Sequence, residues 1–227
     1  MKIAIHQPNF FPYPGFFHKL LGADKLVLLD DVQFQFDYTN RNKIIAKDGT
    51  WIRISIPTKK HHKFFPINKV EINNELSWKD NIWKNIFNSY HGSPFFNAYK
   101  QFFENLFSKE WKFLFDINYY TLKNTLVSLN LKTDLILSST LNVEGTGTNR
   151  LIKICQMLEA DEYISGIGGK KYLNENLFYQ NKIKLSFQSY NPIPYPQFNS
   201  KQFIPNLSII DLLMNMGSKS LEVLKNS

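Results

Sequence analysis

The sequence predicts an α/β fold, with a mostly parallel Rossmann-like sheet flanked by helices, a β-hairpin excursion and a helical middle segment. Three observations predict it. Hydrophobic runs at Lys2–Ile5 and Lys25–Leu29 bracket one short helical stretch, the pattern of a βαβ unit. Strand and helix signals alternate again beyond residue 130. Between these regions apolar residues recur every three or four positions, the spacing of a buried helix face.

The elements follow in order. Pro8, Pro12 and Pro14 hold residues 8–14 out of regular structure, and Pro14 suits the first position of a helix running to about Ala23. After the second strand, Val32–Tyr38 alternates apolar and polar residues, and Lys43–Ala46 and Trp51–Ile56 flank the turn signal Asp48-Gly49. That reads as the hairpin excursion. Trp78, Ile82, Ile86 and Tyr90 trace a helix stopped at His91-Gly92-Ser93-Pro94, and two more helices follow at Phe96–Phe107 and about Lys112–Leu129. Asp134–Leu137 is a strand, and Thr148 is the expected cap of a helix carrying Leu151, Ile154, Cys155 and Leu158. Strands at Glu162–Ile164 and Ile183–Tyr190 enclose a short helix at Leu173–Tyr179. Residues 191–207, with four prolines, cross irregularly to a last helix at about Ser208–Met216.

With 227 residues and 43% hydrophobic composition the chain can bury a full core, so a single α/β domain over 1–227 is expected, with a possible insertion at about 32–130. The single cysteine, Cys155, lies in an apolar helical pattern and reads as a buried thiol in a reducing compartment. No leader-like or membrane-spanning run is visible, so the expected location is cytoplasmic. A net charge of +8 points to an anionic partner. The lysines are spread along the chain, so nucleic acid is not the expected one, and the dense run Lys59–Lys63 reads as a solvated loop.

Polar residues at four strand ends carry the functional reading: His6-Gln7, Asp30-Asp31, Ser138-Ser139-Thr140 and Ser165-Gly166. Parallel strands end at one edge of a sheet, so these groups are expected to converge there. His6 suits general acid/base work or anion contact. Asp30 and Asp31 point to opposite faces of a strand, and Asp30 is the favoured partner for orienting His6. Asn40, Arg41, Asn42 and Lys43 offer two amides, a guanidinium and an ammonium for phosphate or carboxylate. Two glycine loops add backbone donors and charge: Gly145–Arg150 runs into a helix, and Gly166–Lys171, with Gly169 and Lys170, follows a strand. Neither has Walker spacing or the dinucleotide fingerprint, and no His or Cys spacing completes a metal site. Tyr190, Tyr195 and Gln197 lie along the proline-rich crossing, either as a stacking wall or as cover for the core.

The order His6-Gln7-Pro8, Gly15, Lys19, Asp24, Leu29–Gln33, Asn40-Arg41-Asn42, Tyr163–Gly166 with Gly169 and Tyr172, then Leu207–Leu213 with Asn215 and Gly217, resembles the WbqC-like family over essentially the whole chain. The resemblance implies a role in bacterial surface-polysaccharide biosynthesis and carries no established catalytic residue or cofactor. The opening strand, histidine, loop and helix are also similar to the first unit of HIGH-type nucleotidyltransferases, although here Gly15 precedes Phe16-Phe17-His18.

The expected function is therefore a transferase that attaches an acyl or aminoacyl group to a nucleotide-linked amino sugar. His6 and Asp30 are its candidate catalytic residues. Gln7, Asp31, Asn40, Arg41, Asn42, Lys43, Arg150, Ser165, Gly166, Gly169, Lys170 and Tyr172 are its candidate binding residues. The expected partners are an anionic small molecule, such as a nucleotide-linked sugar, and an activated acyl donor. The alternatives are a nucleotidyl or adenylyl transferase, and a non-catalytic binding module of a glycan-assembly complex.

Overall fold

The computed structural model describes residues 1–227, the side chain of Lys63 excepted. β1 (Lys2–His6) and β2 (Lys25–Leu28) pair in parallel with His6 opposite Leu28. A separate antiparallel hairpin holds β3 (Arg41–Ile45) and β4 (Trp51–Ser55). β5 (Asp134–Leu137), β6 (Glu162–Ser165) and β7 (Lys184–Phe187) complete the main sheet, whose order is β5-β2-β1-β6-β7 with every pair parallel. Counted within this sheet the order is 3-2-1-4-5, the first five strands of a doubly wound fold. The chain builds outward from β1 on one side and returns to build β6 and β7 on the other. The crevice left between β1 and β6 is the topological switch point.

The period-two alternation of the strands divides the core. Ala4, Leu26 and Leu28 face the cluster containing Phe16 and Phe17 of α1 (Pro14–Leu20). That cluster continues into the hairpin and into α2 (Trp78–Tyr90), α3 (Phe96–Ser108) and α4 (Leu114–Ser128). Ile3, Ile5, Val27 and Tyr163 face the opposite way, toward α5 (Gly147–Met157) and α6 (Glu175–Gln180). α7 (Ile209–Met216) packs in the first cluster, and α8 (Ser220–Lys225) follows it with Leu224 buried there. Cys155 is a free thiol in the second cluster, and burial pushes its pKa up to about 12.

The irregular crossing at residues 191–207 is held by a buried polar knot. Asp211 on α7 accepts hydrogen bonds from Tyr90 (3.1 Å), Tyr195 (2.8 Å) and Gln197 (2.8 Å). Burial raises the Asp211 pKa and these three donors lower it, so the donors hold the carboxylate where solvent cannot. Tyr195 and Gln197 are thus part of the packing. Asn215 joins the same helix to the crossing, its side-chain oxygen accepting the Phe198 N–H at 2.8 Å.

Several local expectations differ from the structure. Val32–Tyr38 is not a strand but a loop with one isolated bridge, Gln33 to Pro66, because Phe34 plugs the core while Phe36 and Tyr38 stay exposed. Thr146, not Thr148, occupies the N-cap position of α5, without a capping side-chain hydrogen bond, and the Thr148 hydroxyl accepts the Asn174 N–H at 3.1 Å. In the run Lys59–Lys63, read as a solvated loop, Lys59, Lys60 and His61 are exposed, but the backbone is ordered and one residue turns inward. Lys60–Phe64 forms a 3₁₀ turn in which His62 is buried, stacks on Phe65 at 4.4 Å and accepts the Glu71 N–H at 3.0 Å. α8 has no counterpart in the sequence reading, because its six residues are too few to show a helical period.

Candidate functional site

A cleft of about 870 Å³ opens at the carboxyl edge of the sheet beside the switch point. β1 contributes Ile5, His6 and Gln7, the segment after β2 contributes Leu29, Asp31–Gln33, Gln35, Asp37 and Tyr38, and the α5 side contributes Gly145–Gly147, Arg150 and Leu151. Asn9, Tyr163 and the exposed Tyr172 complete it.

His6 is placed by the last rung of β1, and its Nδ1 lies 2.9 Å from the Gln7 carbonyl oxygen. That contact makes Nδ1 the N–H donor and leaves the lone pair on Nε2, which has no hydrogen-bond partner among the described residues. Phe16 meets the imidazole edge-on at 5.0 Å. Burial, and then the nearby Lys19 ammonium, lowers the His6 pKa to about 3, against a small opposing effect of the Gln7 hydrogen bond. The ring is neutral at pH 7. Lys19 itself is buried against the face of Phe16, 5.6 Å from the ring centre, with no ion pair among the described residues. Burial alone brings its pKa down to about 7.

The two aspartates after β2 have separate fates. Asp30 is 2% exposed, and its oxygens accept from the Ser139 N–H (2.9 Å), the Ser139 hydroxyl (2.6 Å) and the Asn68 amide (3.0 Å), while the single proton of the Ser138 hydroxyl, 3.2 Å from Asp30, goes to Asp31 at 2.5 Å. With three donors on it, the carboxylate fastens the end of β2 to the turn after β5 and makes no hydrogen bond to His6. The expected pairing of Asp30 with His6 is replaced by the Gln7 carbonyl. Asp31 lines the cleft, where Arg150 reaches it at 2.6 Å and also donates from Nε to the Val143 carbonyl at 3.1 Å.

The loop entering α5 turns through left-handed conformations at Gly145 (φ 112°) and Gly147 (φ 57°), which glycine adopts without strain. The N–H groups of Gly147, Thr148 and Asn149 make no hydrogen bond to protein acceptors among the described residues. Such a helix start, beside the neutral His6 and the guanidinium of Arg150, favours a negatively charged ligand group.

The remaining candidates lie elsewhere or work differently. Asn40 and Asn42 are buried and hold backbone: Asn40 donates to the Ile56 carbonyl at 2.9 Å, and Asn42 to the Phe11 carbonyl at 2.6 Å. Arg41 and Lys43 line a smaller groove of about 200 Å³ on the hairpin, and Lys43 sits 4.2 Å over Trp51. Ser165 is buried, and Gly169 packs on its hydroxyl where a side chain would collide. Gly166 has open space around it, and Lys170 lines a second cleft. Sequence reasoning missed Tyr38, which lies in the segment read as a strand. Lys19 was visible only as one residue of the family pattern.

A doubly wound parallel sheet with an open cleft at its switch point defines the class as an α/β protein. The chain belongs to the WbqC-like protein family, whose family model matches residues 7–223. It is 27% identical to the uncharacterized protein Rv1507c of Mycobacterium tuberculosis, over 99% of this chain and 97% of that protein. No solved structure matches it.

Proposed function

We propose that the protein is a group-transfer enzyme that attaches an acyl or aminoacyl group to a nucleotide-linked amino sugar, in the surface-polysaccharide setting that the family resemblance implies. The observation that carries this reading is the convergence, in one cleft at the switch point, of His6 with Arg150 and the unpaired first-turn N–H groups of α5. The α5 start and Arg150 hold a phosphate of the nucleotide. Nε2 of His6 takes a proton from the sugar amine as its nitrogen attacks the activated acyl carbon. The C–N bond forms, the bond from carbonyl carbon to leaving group breaks, and the imidazolium returns the proton to the departing group.

The depressed pKa of His6 fits this role only with an anion bound. A phosphate beside the imidazole opposes the Lys19 field and raises its basicity, so the base strengthens when substrate is in place. An open sheet edge favours an enzyme over a scaffold. Under this reading the enzyme works in the cytoplasm, which suits the unpaired thiol of Cys155, and no helix among the described residues is long and apolar enough to cross a membrane.

The test is turnover of nucleotide-linked amino sugars with acyl and aminoacyl donors, read by mass spectrometry of the acylated product. His6→Gln is expected to lower turnover by a factor of about 10² to 10⁴ without weakening nucleotide binding. Full activity in that variant contradicts the assignment.

A further inference from the structure

A second cleft, of about 660 Å³, opens at the same edge of the sheet beyond the ends of β6 and β7. Tyr38 lines both clefts, so they adjoin at that residue. Their chemistry differs. The first has the α5 start, Arg150 and Asp31. The second has three tyrosines, Tyr13, Tyr38 and Tyr190, with the amides Gln188, Asn191 and Asn206, no carboxylate and a single cation, Lys170.

This lining is built rather than incidental. Tyr13 and Tyr190 meet edge-to-face at 6.0 Å over Gly15, where an added Cβ would lie 2.7 Å from the Tyr190 ring, so only glycine admits the pair. Gln188 is locked by two contacts of its amide nitrogen, to the Gly15 carbonyl at 2.6 Å and to His18 Nδ1 at 2.9 Å. Its carbonyl oxygen remains an acceptor in a fixed place. Asn191 and Asn206 make no side-chain hydrogen bond among the described residues, and burial raises the Tyr13 and Tyr190 pKa values, keeping both phenols protonated donors. Aromatic faces beside neutral donors and acceptors match a ring with apolar C–H faces and a rim of hydroxyls. A purely apolar ligand would strand the amides, and a dianion would find one cation, itself 5.3 Å over the Phe187 ring.

We propose that this second cleft is a sugar-ring subsite, in which a pyranose stacks on Tyr190 and is read by Gln188, Asn191 and Asn206. It deepens the function proposed above and rests on it, because a ring seated there and a phosphate held at α5 are adjacent parts of one nucleotide-linked sugar.

The experiment uses saturation-transfer NMR on the full chain with methyl glycosides of glucose and N-acetylglucosamine, and in a separate titration with UDP. The glycoside signal is expected in the native protein, and is expected to fall at least about threefold in both Tyr190→Ala and Asn191→Ala. Asn191 is on the exposed rim, so that variant keeps the fold if Tyr190→Ala does not. No glycoside signal in the native protein, or an undiminished signal in Asn191→Ala and in folded Tyr190→Ala, overturns the subsite. UDP binding is independent of that result and reports on the first cleft alone.

Discussion

Arg150 in the first turn of α5 reaches across to Asp31 after β2, with Nη2 2.6 Å from Oδ2, and this ion pair ties the two sides of the switch-point cleft together. The side chains are 10% and 28% exposed, so the pair is partly desolvated and stronger than a surface bridge. It also sets up a competition. A phosphate held at the start of α5 must share Arg150 with the Asp31 carboxylate.

Removing the competitor is therefore expected to help the ligand. Asp31→Asn should tighten UDP binding about threefold to tenfold, and Arg150→Ala should weaken it by about tenfold. Isothermal titration calorimetry at fixed salt reads both. Weaker binding in Asp31→Asn would show that the carboxylate itself meets the ligand.

Asp30 should behave as a structural residue. Asp30→Ala strands the Asn68 amide and the Ser139 N–H and hydroxyl, and is expected to cost about 3 kcal/mol in urea unfolding. Where the variant remains folded its UDP affinity should match the native protein. A selective loss of affinity at full stability would return Asp30 to the site.

Lys19 and His6 should give stability a two-part dependence on pH. Both have folded pKa values below their ordinary ones, His6 about 3 against 6.5 and Lys19 about 7 against 10.5. Between each pair of values the unfolded chain binds more protons, so stability rises with pH from 3 to 6.5 and again from 7 to 10.5, and is lost as pH falls through each window. Lys19→Met removes a buried amine that has no counter-ion, and should stabilise the protein at pH 7 by about 1–3 kcal/mol. It should also abolish the upper window and raise the His6 pKa, as followed by the imidazole resonances. An unchanged His6 titration would mean that the two groups do not sense each other.

The knot around Asp211 predicts a stability effect far from either cleft. Tyr90→Phe leaves the Ile45 N–H and one Asp211 oxygen short of a partner, and should lower thermal stability by about 1–3 kcal/mol with ligand affinity unchanged. A glycoside or UDP affinity that fell with it would tie the knot to the clefts.

The parts of this architecture that local sequence encodes were legible in it. The abrupt ends of Lys2–Ile5 and Lys25–Leu29 located β1 and β2, and because parallel strands end together they also located the cleft that His6 lines. What depends on side-chain direction was not legible. Asp30 and Asp31 are adjacent and alike, and only the contacts of Ser139 and Asn68 with the one and of Arg150 with the other separate a buried fastener from a cleft residue. Asn40 and Asn42 read as a polar ligand set next to Arg41, but period-two alternation in β3 turns Asn42 into the core, while Asn40, just ahead of the strand, spends its amide on the Ile56 carbonyl. Tyr38 joins two clefts because a loop carries it between them, and its alternating neighbours imitate a strand.

The most direct test of the central claim is a ¹⁵N NMR titration of the native protein with UDP. A phosphate held at the switch point should shift the amides of Gly147, Thr148, Asn149 and Arg150 most strongly, together with the His6 imidazole, whose pKa should rise in the complex. UDP that leaves these signals in place, or shifts only the hairpin groove of Arg41, Lys43 and Arg53, would contradict it.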